Sequence, residues 1–183
     1  MFRKLLNKIS NELDKHKIPY MVIGGQAVLL YGEPRLTKDI DITLDMGIEG
    51  YPKVKEVIEN LFFRILVDNP EEFLKKTMVL PTIEEKSGVR IDFIFSFSPY
   101  EKQAIGSAID VKINNKMVKF ASLEDVIIHK IIASRARDIE DVKTILLKNP
   151  DYNSKYIYKW LGEFDKSLDE KFSNVFKKVE KEI

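Results

Sequence analysis

Hydrophobic positions recur along this chain with two periods. In residues 2–17, Phe2, Leu5, Leu6, Ile9 and Leu13 fall at helical spacing and predict an amphipathic helix whose part is packing. Residues 20–23 are an unbroken apolar run that stops at Gly24-Gly25, a strand leading into a turn. Residues 26–31 continue as a helix, and Gly32 stands where glycine commonly closes one. In 39–44, Asp-Ile-Asp-Ile-Thr-Leu, polar and apolar residues alternate strictly. Successive strand side chains point to opposite faces, so Ile40, Ile42 and Leu44 share one face and Asp39 and Asp41 the other. Residues 90–95 repeat the pattern: Asp92 lies opposite the face of Ile91, Phe93 and Phe95.

The remaining elements follow from the same periods. A helix is predicted over 52–61, with Pro52 in its first turn, and a short strand over 63–67. A short helix follows over 70–76. Runs 78–84 and 89–97, joined by Glu-Lys-Ser-Gly, predict a hairpin, with Pro81 marking its first arm as an edge strand or a bulged one. Residues 98–107 read as irregular or briefly helical. Runs 108–113 and 116–120 form a second hairpin around Asn114-Asn115. The last third is helical. Ser122 and Asp125 make a variant capping box, the helix runs to about 136, and others cover 137–148, 154–164 and 168–183. Trp160 and Phe164 are expected in the core, and Asp45, past the strand end, in solvent. There is no internal repeat.

Composition narrows the function classes. The 183 residues suit one compact domain or a domain with a helical appendage, and 44% hydrophobic residues suffice for a core. Charged residues make up 32%, yet the formal net charge is +1, so no global basic field marks a nucleic-acid binder. The absence of cysteine excludes disulfides and thiolate zinc sites. The two histidines, His16 and His129, are too far apart in the chain to form a metal motif, and His129 is expected to be structural. No signal-peptide run and no membrane-length apolar stretch is present, so a cytoplasmic protein without a membrane partner is expected.

The chemistry lies in 21–44 together with Asp92. If the two acidic strands are neighbours, three carboxylates converge. Like charges so close disfavour ionisation unless a cation bridges them. Mg²⁺ prefers carboxylate and phosphate oxygens, and two-metal sites clamp phosphoryl transfer from such clusters. Glycines at the strand-to-helix turn let backbone N–H groups approach an anion. Arg35 and Lys38, in the loop before the acidic strand, are candidates for contacting a triphosphate. A double glycine or one D-x-D alone is more often a turn or a solvated face; their joint occurrence carries the reading.

Gly24-Gly25, then Asp39-x-Asp41 between apolar residues, then Asp92 on a later strand resembles the DNA polymerase beta-type nucleotidyltransferase superfamily. Leu123-Glu124-Asp125-Val126, Lys130 and Arg137-Asp138-Ile139-Glu140-Asp141-Val142 resemble its AbiEii-like branch, which includes bacterial toxins. The resemblance spans roughly residues 17–147. It implies an α/β (α+β) minimal nucleotidyltransferase fold: a small mixed sheet flanked by helices in a core of residues 1–120, with a helical region, 121–183, packed on it. It implies transfer of a nucleoside monophosphate from an NTP to a hydroxyl acceptor with release of pyrophosphate. Asp39, Asp41 and Asp92 would be catalytic and would hold Mg²⁺ or Mn²⁺. Lys130 would face the site and neutralise phosphate charge. Gly24, Gly25, Arg35, Lys38, Arg137 and Asp138 would bind nucleotide, and Asp141 matches a further acidic position. The bland alternatives are a lysine that snorkels to solvent and an Asp138 that caps a helix or pairs with Arg135 or Arg137. The acceptor is left open among RNA (a tRNA end included), protein and small molecule. The other readings are a catalytically silent nucleotide-binding or interaction module, and the toxin of a toxin–antitoxin pair with an antitoxin partner.

Overall fold

The computed structural model describes residues 1–34, 36–96 and 98–183. The chain divides into two units, residues 1–26 with 37–120, and residues 27–36 with 121–183.

The first unit is built on a sheet. Its elements in order are α1 (Phe2–Lys15), β1 (Tyr20–Ile23), the start of α2 (Gly24–Tyr31), β2 (Asp39–Asp45), a 3₁₀ turn (Ile48–Gly50), α3 (Tyr51–Asn60), β3 (Arg64–Ile65), α4 (Pro70–Thr77), β4 (Val79–Glu84), β5 (Val89–Ser96), α5 (Pro99–Gly106), β6 (Ile109–Ile113) and β7 (Lys116–Phe120). The seven strands lie in the order β3, β4, β5, β2, β1, β7, β6. Strands β2 and β5 run parallel, as do β1 and β7, and the other neighbours are antiparallel. The mixed α/β architecture is the one expected.

The period-2 pattern decides the faces. Ile40, Ile42, Leu44, Ile91, Phe93 and Phe95 are buried. The Tyr20 hydroxyl bonds Ser10 Oγ at 2.6 Å, which ties α1 to β1. Helix α1 ends at Lys15 rather than at 17, because Lys17 takes the left-handed φ of 52° and the Ile18 N–H turns back to the Leu13 carbonyl at 2.9 Å.

Two expectations in this unit are corrected, one on β4 and one on Asp45. Strand β4 is neither an edge nor bulged, since β3 and β5 flank it and its register with β5 is unbroken from Val79↔Ile94 to Glu84↔Val89. Pro81 is tolerated there because its carbonyl, and hence its missing N–H, faces the β3 side, where the two-residue β3 has already ended and Leu66 N–H donates to the Pro81 oxygen at 2.9 Å. Asp45 lies within β2, partnered with Ser96, and its N–H donates to the Pro19 carbonyl at 3.0 Å. In the stretch read as irregular or briefly helical the helical alternative holds: residues 99–106 form α5, which Ser98 caps by accepting the Glu101 N–H. The expected strand end at 97 falls outside the described residues.

The second unit is helical: the remainder of α2, then α6 (Leu123–Ala133), α7 (Ala136–Lys148), α8 (Ser154–Leu168) and α9 (Phe172–Glu182). Ser122 Oγ accepts the Asp125 N–H at 3.2 Å and donates to its carboxylate at 2.6 Å, so the Ser122–Asp125 pair caps the helix, its second contact made through the hydroxyl. Helix α6 stops at Ala133, earlier than expected, where Ser134 takes the left-handed φ of 50°. Gly32 follows α2 without adopting a positive φ. A Cβ there would meet Ile145 and Thr144 of α7 at 3.2 Å, so close packing selects the glycine. Ile157 and Leu161 are the buried face of α8, while Trp160 and Phe164, expected in the core, are half-buried. No helix among the described residues is long and apolar enough to cross a membrane.

Candidate functional site

In the first unit, β2 and β5 bring the predicted acids together by register. Asp41 is paired directly with Asp92, and Asp39 with Arg90. Neighbouring strands lie about 4.8 Å apart, so Asp41 and Asp92 stand side by side, with Asp39 two residues away along the same face, about 7 Å. Asp39 is exposed, and Asp41 and Asp92 are half-buried. Ile40, Ile42, Ile91 and Phe93, locked into the core at 0% exposure, fix the acids' direction from behind.

Strand β1 pairs with β2 at Ile23↔Asp41, and the chain then turns through Gly24 at φ +63°. A Cβ on Gly24 would come within 1.9 Å of Asp41 Oδ2 and 2.8 Å of its Cγ. Gly24 is therefore required twice, for its left-handed backbone and for the space Asp41 occupies. Gly25 follows in the first turn of α2. The described approach to β2 is held by Gln26, whose Nε2 donates to Thr37 Oγ1 at 2.7 Å. Lys38 is exposed beside Asp39. Arg35 lies outside the described residues.

Arg90 was not among the expected site residues, and the structure places it on the acidic face. Its Nε donates to Asp92 Oδ1 at 2.8 Å. Its guanidinium is held still more firmly protonated than usual, first by that hydrogen bond, against the opposing effect of burial, and then by the charges of Asp92, Asp39 and Asp41. The signal was legible: in Arg90-Ile91-Asp92, residues two apart share a strand face. Gln26 had a weaker signal, a lone polar residue opening an apolar helix.

Carboxylate oxygens in this row suit a hard divalent cation in donor type and alignment, and the Gly24 turn leaves one acid open where a side chain would close it. Among the described residues, no group of three or more His, Cys, Asp or Glu side chains lies close enough to hold one metal ion. The backbone aligns the three acids without gathering their carboxylates into one cage.

The remaining candidates lie in the second unit. Lys130 neither snorkels nor stands open: it is 6% exposed, and its ammonium reaches Asp138 Oδ1 at 2.5 Å and Asp141 Oδ2 at 3.0 Å. Arg135 Nε also binds Asp138. Burial pushes the Asp138 pKa up, but hydrogen bonds from Arg135 and Lys130, with their charges, outweigh it and hold the carboxyl below its usual range. Because α6 ends before Ser134, Lys130 and Arg137 do not share a continuous helical face. Arg137 is exposed and donates to the Leu36 carbonyl at 3.5 Å.

Solved structures share this fold at low sequence identity. ANT(2″)-Ia, in complex with adenylyl-2″-tobramycin, superposes with a TM-score of 0.61 at 17% identity over 91% of this chain and 98% of that one. The lincosamide antibiotic adenylyltransferase LnuA, lincomycin-bound, gives 0.55 at 18% identity over 78% and 94%. An antigenic nucleotidyltransferase-like protein from Paracoccidioides brasiliensis gives 0.55 at 16% identity over 79% and 74%. No curated protein sequence matches. The model of one sequence family matches residues 1–158, and the chain belongs to that family, a nucleotidyltransferase of unknown function (DUF6036).

Proposed function

We propose that the chain transfers a nucleoside monophosphate from an NTP to a hydroxyl acceptor. The observation that carries this reading is the Asp41–Asp92 register beside the Gly24 turn, with Asp39 on the same face. Asp39, Asp41 and Asp92 would be the carboxylates offered to Mg²⁺ or Mn²⁺, with triphosphate oxygens completing a ligand set that the acids do not gather by themselves; the ion would neutralise charge on the triphosphate and on the leaving pyrophosphate. The backbone N–H groups at the start of α2 receive phosphate oxygens. The acceptor hydroxyl attacks the α-phosphorus, the bond from the α-phosphorus to the oxygen bridging to the β-phosphate breaks, and pyrophosphate leaves. Asp92, standing beside Asp41, takes the hydroxyl proton. Positioning and charge stabilisation carry the rate.

Lys130 has its charge committed to Asp138 and Asp141, so this reading gives it a structural part and makes Lys38, exposed beside Asp39 in the first unit, a cation for phosphate. The AbiEii-like placement and a cytoplasmic location belong to the same proposal. The small hydroxylated antibiotics named with ANT(2″)-Ia and LnuA make a small polyhydroxylated molecule the first acceptor class to assay, ahead of tRNA and protein. The test is label transfer from each of the four [α-³²P]NTPs across these acceptors. Asp41→Asn should lower the rate by about a thousandfold or more. Equal transfer by wild type and Asp41→Asn overturns the reading.

A further inference from the structure

Helix α9 buries one face and leaves the other to lysine. Phe176 and Val179 are buried, and the Phe176 ring meets those of Tyr152 and Tyr158 edge-on, with centroids 6.3 Å and 5.2 Å apart. This packing fixes how the helix is turned. Its outer face carries Lys171, Lys177, Lys178 and Lys181, all exposed, which with Asn174 and Val175 line a groove of about 380 Å³. The acids nearby are committed elsewhere. Glu180 accepts hydrogen bonds from the hydroxyls of Tyr152 and Tyr158, and Glu182 holds Lys143 of α7 at 2.9 Å. Asp165 accepts the N–H groups of Phe172 and Ser173, so the N-terminus of α9 is already filled. Asp169 and Glu170, in the turn before α9, line no part of the groove. Among the described residues, none of the four lysines has an ion-pair partner.

Two ordinary roles for these lysines fall short. Cations suit the last turn of a helix, which accounts for Lys178 and Lys181. Lys171 stands at the N-cap, where the same dipole disfavours a cation. Pairing within the helix fails too, because Glu180 and Glu182, at the right spacing for Lys177 and Lys178, are bonded elsewhere. Lys177 and Lys178 instead lie four and three residues from Lys181, spacings at which like charges repel. A face of this kind attracts a polyanion.

From this we infer that the lysine face of α9 docks the backbone of an RNA duplex. Lys171 to Lys181 spans about 15 Å of helix. A duplex presents phosphates along that length more densely than the face presents ammoniums. The groove has no aromatic side chain on which an unstacked base could rest, which favours a duplex over a single strand. Asn174 is the one neutral hydrogen-bonding side chain in the groove. It can donate to and accept from a ribose 2′-hydroxyl, the group by which a protein tells RNA from DNA. The family match ends at residue 158, so this face lies beyond what the family model describes. The inference stands apart from the transfer reading, since α9 carries none of the residues placed in that reaction.

The test is fluorescence anisotropy of a labelled RNA duplex of about 16 base pairs titrated with the full chain, beside a DNA duplex of the same sequence. Wild type should bind RNA with an affinity that falls about a hundredfold between about 50 and about 200 mM salt, as four neutralised phosphates require. Lys171→Gln/Lys178→Gln/Lys181→Gln should flatten the slope of log K against log salt by about 3 and bind about tenfold or more weakly at the lower salt. Lys171→Arg/Lys178→Arg/Lys181→Arg keeps the charges and should keep the binding. The control, Lys4→Gln/Lys53→Gln/Lys102→Gln, removes three exposed lysines of α1, α3 and α5 and should match wild type. DNA should bind several-fold more weakly than RNA, and Asn174→Ala should close that gap. Absence of RNA binding by wild type at the lower salt overturns the inference. So does an equal loss in the control triple, which makes the effect one of net charge. DNA bound as tightly as RNA overturns the assignment to RNA. Displacement of the RNA by polyglutamate, charge for charge, overturns it in favour of an acidic protein partner.

Discussion

Single residues at the sheet's acidic face carry more than one constraint each, and Gly24 shows it best. Its φ of +63° is in the left-handed region, and its missing Cβ leaves room for Asp41 Oδ2. Gly24→Ala meets both penalties. Left-handed backbone alone costs an L-residue about 1–2 kcal/mol, and the carboxylate must also move. The variant should melt at a lower temperature and lose nucleotide binding together with stability. A Gly24→Ala protein that binds nucleotide as wild type does would show that the turn and Asp41 are not coupled. Ile42→Ala tests the same face from behind. Removing a fully buried isoleucine should cost about 2–5 kcal/mol, read by denaturant unfolding.

At the scale of elements, strands and helices differ in how much of them the chain discloses. The period-2 runs of β2 and β5 showed which side chains share a face, because a strand's alternation is local. The pairing of Asp41 with Asp92 joins segments distant in sequence, and only the fold supplies that register. Arg90 stood in the same alternation as Asp92 and was legible by the same rule. Pro81 was misleading, since its missing N–H meets no strand although β4 has neighbours on both sides. The break after α6 had no glycine or proline to announce it; Ser134 supplies the left-handed residue. That break lets α7 return Asp138 and Asp141 to Lys130, a cluster that helical spacing alone could not show. The buried cluster makes a firm prediction. Lys130→Met removes the buried ammonium that Asp138 and Asp141 share, leaving Asp138 its Arg135 partner, and should destabilise the chain by about 3–5 kcal/mol. A cost near zero, with nucleotide binding lost, would instead make Lys130 a ligand of phosphate. Asp138 adds a pH dependence. Its folded pKa lies below the ordinary 3.8, so the stability it contributes is present above that value and is lost as pH falls through the folded pKa. Melting curves between about pH 2 and 6 should fall more gently below about pH 4 in Asp138→Asn than in wild type.

For the whole molecule, the fold class was readable because two acid-bearing strands, two hairpin signals and a helical last third are consistent with one another. The family match spans the sheet and most of the helices. What the pattern could not disclose was the division of the chain, in which residues 27–36 join the second unit. Ligand linkage is read on the whole chain. Metal–NTP at a hundred times its Kd should stabilise the folded chain by about 2.7 kcal/mol. For a chain of this length that is a rise in Tm of about 5–10 °C, absent in Asp41→Ala. The most direct measurement of the central claim is calorimetric titration of ATP, CTP, GTP and UTP, with Mg²⁺, into wild type and the Asp39→Ala/Asp41→Ala double variant. The account predicts Mg²⁺-dependent binding of at least one nucleotide by wild type and none by the folded double variant. Binding of equal strength in both, or none to wild type, would contradict it.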